Sequence, residues 1–130
     1  MKRIILGLTV IVMVVMAIGC THSTPESVVE TYFDAIQQKD YEKAADCFYY
    51  GDLGEEDAND ARDMNIDLMK KVYKSFKEKG GVESYKILTV DEDGDNAVVK
   101  GVLVFVNGDT QEETVKAIKR DGKWYLEDGK

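Results

Sequence analysis

The apolar pattern of this chain changes period at Gly80-Gly81, and that change restricts the fold more than any other feature of the sequence. Up to Lys79 the apolar residues recur at spacings of three and four, as on one face of a helix. After Gly81 they alternate, as on one face of a strand. Helices followed by an antiparallel meander make an α+β domain, in which the sheet buries one face against the helices. N-terminal helices packed on a curved antiparallel four-stranded sheet are the expected architecture.

The helical half divides into three. Thr24 is an N-cap, Pro25 takes the first helical position, where a missing N–H costs nothing, and Glu26 sits at the positive helix end. Val28, Val29, Tyr32, Phe33 and Ile36 follow as one apolar face. Asp40 caps a second, short helix with Tyr41, Ala44, Ala45 and Phe48 on its inner side. Residues 51–56 read as an acidic loop. A third helix is predicted from about Asp57 to Lys79, with Ala61, Met64, Leu68, Met69, Val72, Tyr73 and Phe76 on its apolar side. Strands are predicted over 82–90, 97–106, 109–120 and 123–127, with 91–96 as a turn. Asn107-Gly108 is a two-residue hairpin signal, and Asp121-Gly122 is a second tight turn.

The first twenty residues have a different character. Lys2 and Arg3 precede a charge-free apolar run from Ile4 to Met16, which is too short to span a bilayer, since a spanning helix needs about 20 apolar residues. Ala17-Ile18-Gly19-Cys20 follows, with small residues suited to a signal peptidase. This resembles the lipobox of bacterial lipoproteins, although the usual pattern has Leu where Ala17 stands. The resemblance implies cleavage after residue 19 and lipid on Cys20, giving 1–19 as signal peptide, 20–24 as lipidated cysteine and tether, and 25–130 as the domain. Acyl chains hold a protein to a membrane because each buried CH₂ contributes roughly 0.8 kcal/mol. His22, in the tether, is expected to be neither ligand nor base. The expected location is the cell envelope, on a membrane surface.

Removing residues 1–19 takes away two basic residues and no acid, so the net charge goes from −8 to −10. A field of that sign repels phosphate backbones, so nucleic acid is not an expected partner. It also opposes docking on anionic lipid through protein charge, and leaves membrane contact to the anchor. With Cys20 lipidated, Cys47 is the remaining cysteine and no intrachain disulfide can form.

Few residue groups suggest chemistry. His22 is the chain's one histidine. Asp34 falls beside Phe33 and Ile36, which claim the inner face, so it is expected in solvent, and Asp46 and Asp67 are no better placed. The run Asp91–Asn96 lacks the glycine and glutamate spacing of a calcium loop. Cys47 has no evident base beside it. No metal, cofactor or catalytic set is expected.

Three segments together resemble a known family. Thr24-Pro25-Glu26-Ser27-Val28-Val29 with Tyr32-Phe33-Asp34-Ala35-Ile36 looks like a first helix of the cystatin-like group. Lys39-Asp40-Tyr41-Glu42-Lys43-Ala44-Ala45 looks like its second, and Asp121-Gly122-Lys123-Trp124 like its last hairpin. Their order and spacing resemble lipoproteins of the nuclear transport factor 2-like superfamily, in particular domain-of-unknown-function family 4878. The resemblance implies a cone-shaped α+β roll with a pocket between helices and sheet, and it implies no reaction.

Tyr32, Tyr73 and Tyr85 with Phe76, Phe105 and Trp124 are the candidate lining of that pocket, an apolar body with phenol tips suited to a small amphipathic ligand. The alternative, which is the favoured reading of these rings, is that they simply fill the core. Three readings stay open. A non-catalytic binder of a small ligand needs an apolar pocket. An isomerase- or dehydratase-like acid/base enzyme needs a carboxylate buried in it. A protein-binding module needs a filled core and an exposed apolar patch, for which Val98, Val102 and Val104 are candidates, including for a homodimer through the sheet. The non-enzymatic readings are favoured.

Overall fold

A computed structural model describes residues 22–127. The expected leader, Cys20, Thr21 and residues 128–130 lie outside the described residues. Three helices, α1 (Pro25–Gln37), α2 (Tyr41–Ala45) and α3 (Glu55–Glu78), precede four strands, β1 (Val82–Asp93), β2 (Asn96–Phe105), β3 (Thr110–Arg120) and β4 (Lys123–Leu126). The strands form one antiparallel meander in chain order, curved around the helices, which is the α+β fold expected from the period change. Among the described residues no helix is long and apolar enough to cross a membrane.

Local chemistry sets the helix ends. The Thr24 hydroxyl accepts from the Ser27 amide at 3.0 Å, and the Asp40 carboxylate accepts from the Lys43 amide at 3.2 Å, each satisfying an otherwise unpaired helical donor. Helix α3 begins two residues earlier than predicted. Gly54 opens it, and Glu55, Glu56 and Asp57 occupy its first turn, where acid is favoured by the helix dipole.

Alternation decides which side of the sheet is covered. On β2, Ala97, Val99, Leu103 and Phe105 are buried beneath the helices, while Val98, Val102 and Val104 face the other way and are half-buried. Across the outer face Val102 lies between Lys86 and Glu112. Helix α1 lies on the sheet with Val28, Val29 and Ile36 fully buried. Helix α3 packs mainly on α1 and α2, and meets the sheet towards its C-terminal end, where Phe76 and Phe105 sit 5.5 Å apart.

Two turns differ from expectation. The strands around the acidic run continue to Asp93 and resume at Asn96, so the turn is Gly94-Asp95 rather than 91–96. The Asn107-Gly108 loop is longer than a two-residue hairpin: Phe105 N–H donates to Asp109 O, and Gly108 alone in it has positive φ. The cause is tertiary. The amides of Val106 and Asn107 donate to the carbonyls of Gly81 and Lys79, tying the loop to the end of α3. Asp121-Gly122 is a two-residue turn, with φ of 53° and 78°.

The tether expected over residues 20–24 is bound to the domain from His22 onward. The Trp124 amide donates to the His22 carbonyl at 2.8 Å, and His22 Nδ1 donates to the Trp124 carbonyl at 2.6 Å. Two residues on, the Leu126 amide donates to the Cys47 carbonyl at 2.8 Å. These bonds close the outer edge of β4, an edge that would otherwise be open to pairing with another chain.

Candidate functional site

Because α3 stands off β3, a cleft of about 460 Å³ remains between α1, α3 and the inner face of β3. Tyr32 and Phe33 of α1 form one wall. Leu68, Met69, Val72 and Phe76 of α3 form the opposite wall. Glu113 and Val115 of β3 contribute the floor, and Phe48 and Leu126 close one end. The apolar side of α3 is incompletely covered by the protein itself: Met69 and Phe76 are buried, but Leu68 is 51% and Met64 72% exposed.

The aromatic wall is held by its own contacts. Tyr32 meets Phe33 and Phe48 edge to face at 5.0 and 5.7 Å, and Phe33 meets Tyr85 at 4.6 Å. Burial raises the Tyr32 phenol well above its ordinary pKa, and the Glu113 charge adds to that. The Tyr85 phenol is pushed up to about 12 by burial and then by Glu113 and Glu30. Both tyrosines therefore stay neutral donors at physiological pH, within electrostatic reach of one carboxylate. Glu113 is half-buried and accepts a hydrogen bond from the Gln111 side chain.

A second, more polar hollow of about 390 Å³ lies between α1 and the start of β1. Phe33 and Tyr85 line it together with Glu30, Asp34, Gln37 and Glu83. Phe33 also lines the cleft, so the Phe33–Tyr85 contact lies between the two hollows. The Tyr85 hydroxyl is buried and has no hydrogen-bond partner among the described residues.

The six residues expected to line one pocket are not brought together. Tyr32 and Phe76 line the cleft, and Tyr85 lines the second hollow. Tyr73 faces Tyr41 at 6.4 Å, with the Lys39 ammonium 5.2 Å from its ring centroid. Phe105 and Trp124 are core residues, 0% and 4% exposed. Phe33, Leu68, Met69, Val72, Glu113 and Val115 line the cleft without having been expected there. Alternation was a usable signal on β3, where Gln111, Glu113, Val115 and Ala117 share one face.

Asp34 and Asp67 are exposed, and exposed Asp46 pairs with Arg62 at 2.8 Å. The Cys47 thiol is 1% exposed, donates to the Lys43 carbonyl, and is pushed up to about 12 by burial and by Asp46, against an opposing effect of Lys43. A thiol in that state is a poor nucleophile. No charged residue is buried among the described residues, and no cluster of histidine, cysteine or carboxylate there is arranged to hold a metal ion.

Comparison with known proteins bears on the fold. The family model described as a domain of unknown function, DUF4878, matches residues 18–127. Among solved structures, a Campylobacter jejuni protein provisionally described as an NTF2-like transpeptidase is 20% identical, with a TM-score of 0.73 over 81% of this chain and 98% of its own. A SEC-C motif-containing protein from Rhodopseudomonas palustris is also 20% identical, with a TM-score of 0.57 over 88% of this chain and 85% of its own. No curated protein matches the chain.

Proposed function

The chain belongs to the DUF4878 family and has the NTF2-like fold, and on that premise we propose that it is an exported, lipid-anchored domain whose cleft holds a small amphipathic ligand. The placement rests on the sequence from Lys2 to Cys20: a basic start, a short apolar run, then a lipobox-like Ala17-Ile18-Gly19-Cys20. The binding reading rests on the cleft itself, and above all on the part of α3 that the protein leaves uncovered at Leu68. A concave, mostly apolar space of this volume with few polar groups suits a small amphipathic ligand. The polar end of that ligand is a hydrogen-bond donor or a cation, because Glu113 is an acceptor on the floor and aromatic rings flank it.

Binding is favoured over acid/base catalysis by the state of the carboxylates. Glu113 and Glu127 are those at the cleft, the first half-buried and held by Gln111, the second exposed. The transpeptidase description of the Campylobacter protein does not transfer on fold alone. Acyl transfer through cysteine needs an activated thiolate, and Cys47 is buried and protonated.

A fluorescent probe tests the cleft. N-phenyl-1-naphthylamine, a neutral aromatic amine that brightens in apolar surroundings, is expected to bind saturably. Val115→Trp fills the floor and Leu68→Asp places a charge at the half-exposed wall. Each is expected to weaken the probe about tenfold, equivalent to 1.4 kcal/mol, with a folded circular dichroism spectrum. Glu113→Gln is expected to weaken it less. Unchanged affinity in both Val115→Trp and Leu68→Asp would show that the probe binds elsewhere and remove the support for this reading.

A further inference from the structure

We propose that the face built from His22, Tyr49, Arg120, Lys123 and Tyr125 lies against the lipid headgroups of the membrane that carries the protein, so that the domain is docked in one orientation and not suspended on a leash. The inference rests on lipidation at Cys20. Cys20 precedes His22 by two residues, a reach of at most about 7 Å. His22 is itself fixed to β4 through two hydrogen bonds with Trp124, 2.8 and 2.6 Å long, and its ring meets that of Tyr125 at 4.7 Å. The lipid-bearing residue is therefore held within about 7 Å of the folded edge.

Helix α1 sets the direction away from that point. It leaves the edge at Pro25 and runs 13 residues, about 20 Å, to Gln37, whose side chain meets the start of β1 by accepting from the Val82 amide. The Gly80-Gly81 corner and the Val106–Asn107 loop sit at that far end. A lipid attached at the His22 end brings the β4 edge to the surface and carries the far end away from it.

The side chains at the near end suit an interface. The Tyr49 ring meets Tyr125 at 5.2 Å, and the Arg120 guanidinium carbon lies 5.8 Å from the Tyr49 centroid. Tyrosine rings are favoured at headgroup depth, where one end is apolar and the other wet. Arg120 and Lys123 are cross-strand partners on the side of β3 and β4 that Tyr125 shares, whereas Lys119 alternates to the other side beside Trp124. The chain's overall charge opposes anionic lipid, and Asp95 of the neighbouring turn, whose carbonyl accepts from the Lys119 amide, adds to that opposition, so the attraction offered by this face comes from the Arg120–Lys123 pair. Basic residues near an anionic surface each add attraction that fades within a Debye length.

The chain's one tryptophan reports on this arrangement, since Trp124 is bonded directly to His22. Full-length protein purified from membranes with its native amino terminus is reconstituted into vesicles of phosphatidylethanolamine and phosphatidylglycerol carrying a headgroup nitroxide. Trp124 emission is expected to be strongly quenched, while Val106→Trp adds an unquenched component from the far end, where Val106 is 62% exposed. Reversing both charges, Arg120→Glu with Lys123→Glu, is expected to reduce the docked population about tenfold while the protein stays on the vesicles. Vesicle-bound protein whose Trp124 is unquenched, or quenched no more than a tryptophan at 106, overturns the docking and leaves the anchor intact. Protein that is absent from vesicles and lacks lipid at Cys20 overturns the anchor, and the docking with it.

Discussion

Phe105→Ala is expected to lower the free energy of unfolding by about 4 kcal/mol, close to half of what a domain of this size has. Phe105 is fully buried at the end of β2, with Phe76 of α3 5.5 Å from its ring and the Lys79 ammonium 4.8 Å above it. Truncating a buried phenylalanine removes its transfer free energy and leaves a cavity, and the loss is largest where the walls cannot move in. The walls here are tied together. Gly81 N–H donates to Phe76 O, Val106 N–H to Gly81 O, and Asn107 N–H to Lys79 O, so the end of α3 cannot settle independently onto the sheet. Phe105→Leu keeps most of the volume and is expected to lose no more than about 1.5 kcal/mol. Denaturant unfolding at constant slope measures both. A loss below about 1 kcal/mol for the alanine variant would mean that this junction is not a principal support of the fold.

Gly101→Val is expected to lose about 3 kcal/mol for the opposite reason, overfilling. A Cβ at Gly101 would lie 2.5 Å from the Tyr85 hydroxyl oxygen and 2.7 Å from the Lys86 carbonyl oxygen. The phenol can swing away, but the carbonyl belongs to the neighbouring strand, where β1 is paired with β2 and changes register between Ile87 and Thr89. Moving Tyr85 also breaks its contact with Phe33 between the two hollows. A double-mutant cycle with Tyr85→Ala separates the two clashes. The valine is expected to do less damage once the ring is gone, and still some, because the Lys86 carbonyl remains. Strict additivity would show that Tyr85 and Gly101 do not constrain one another.

The architecture was legible because local and global signals agree in this chain. Thr24-Pro25 and Asp40 cap helices wherever they occur, and the change of period at Gly80-Gly81 separates helices from strands without reference to tertiary contacts. What the sequence hid was long-range. Asn107-Gly108 has the composition of a two-residue hairpin, yet the amides of Val106 and Asn107 are taken by the end of α3, and the loop opens to meet them. His22 stands 102 residues from the carbonyl it binds, and nothing in its neighbours announces the pairing. Among the pocket residues, Phe105 and Trp124 were indistinguishable by type from Tyr32 and Phe76. The distinction depends on where α3 lands: it covers Phe105 near its C-terminal end and stands off Glu113 and Val115 beside it. Alternation placed Glu113 on the covered face of β3, but a charged residue there reads as surface unless the gap above it is known.

An anchored position at the membrane, the docked β4 edge and a cleft opening in the cell envelope all depend on the chemistry of one residue. Intact-mass and fragment analysis of the amino-terminal peptide, from protein purified out of its own membranes, reads that chemistry directly. The peptide is expected to begin at Cys20 and to carry the added mass of a thioether-linked diacylglycerol. A peptide that begins at Met1, or one with an unmodified Cys20, would contradict the account.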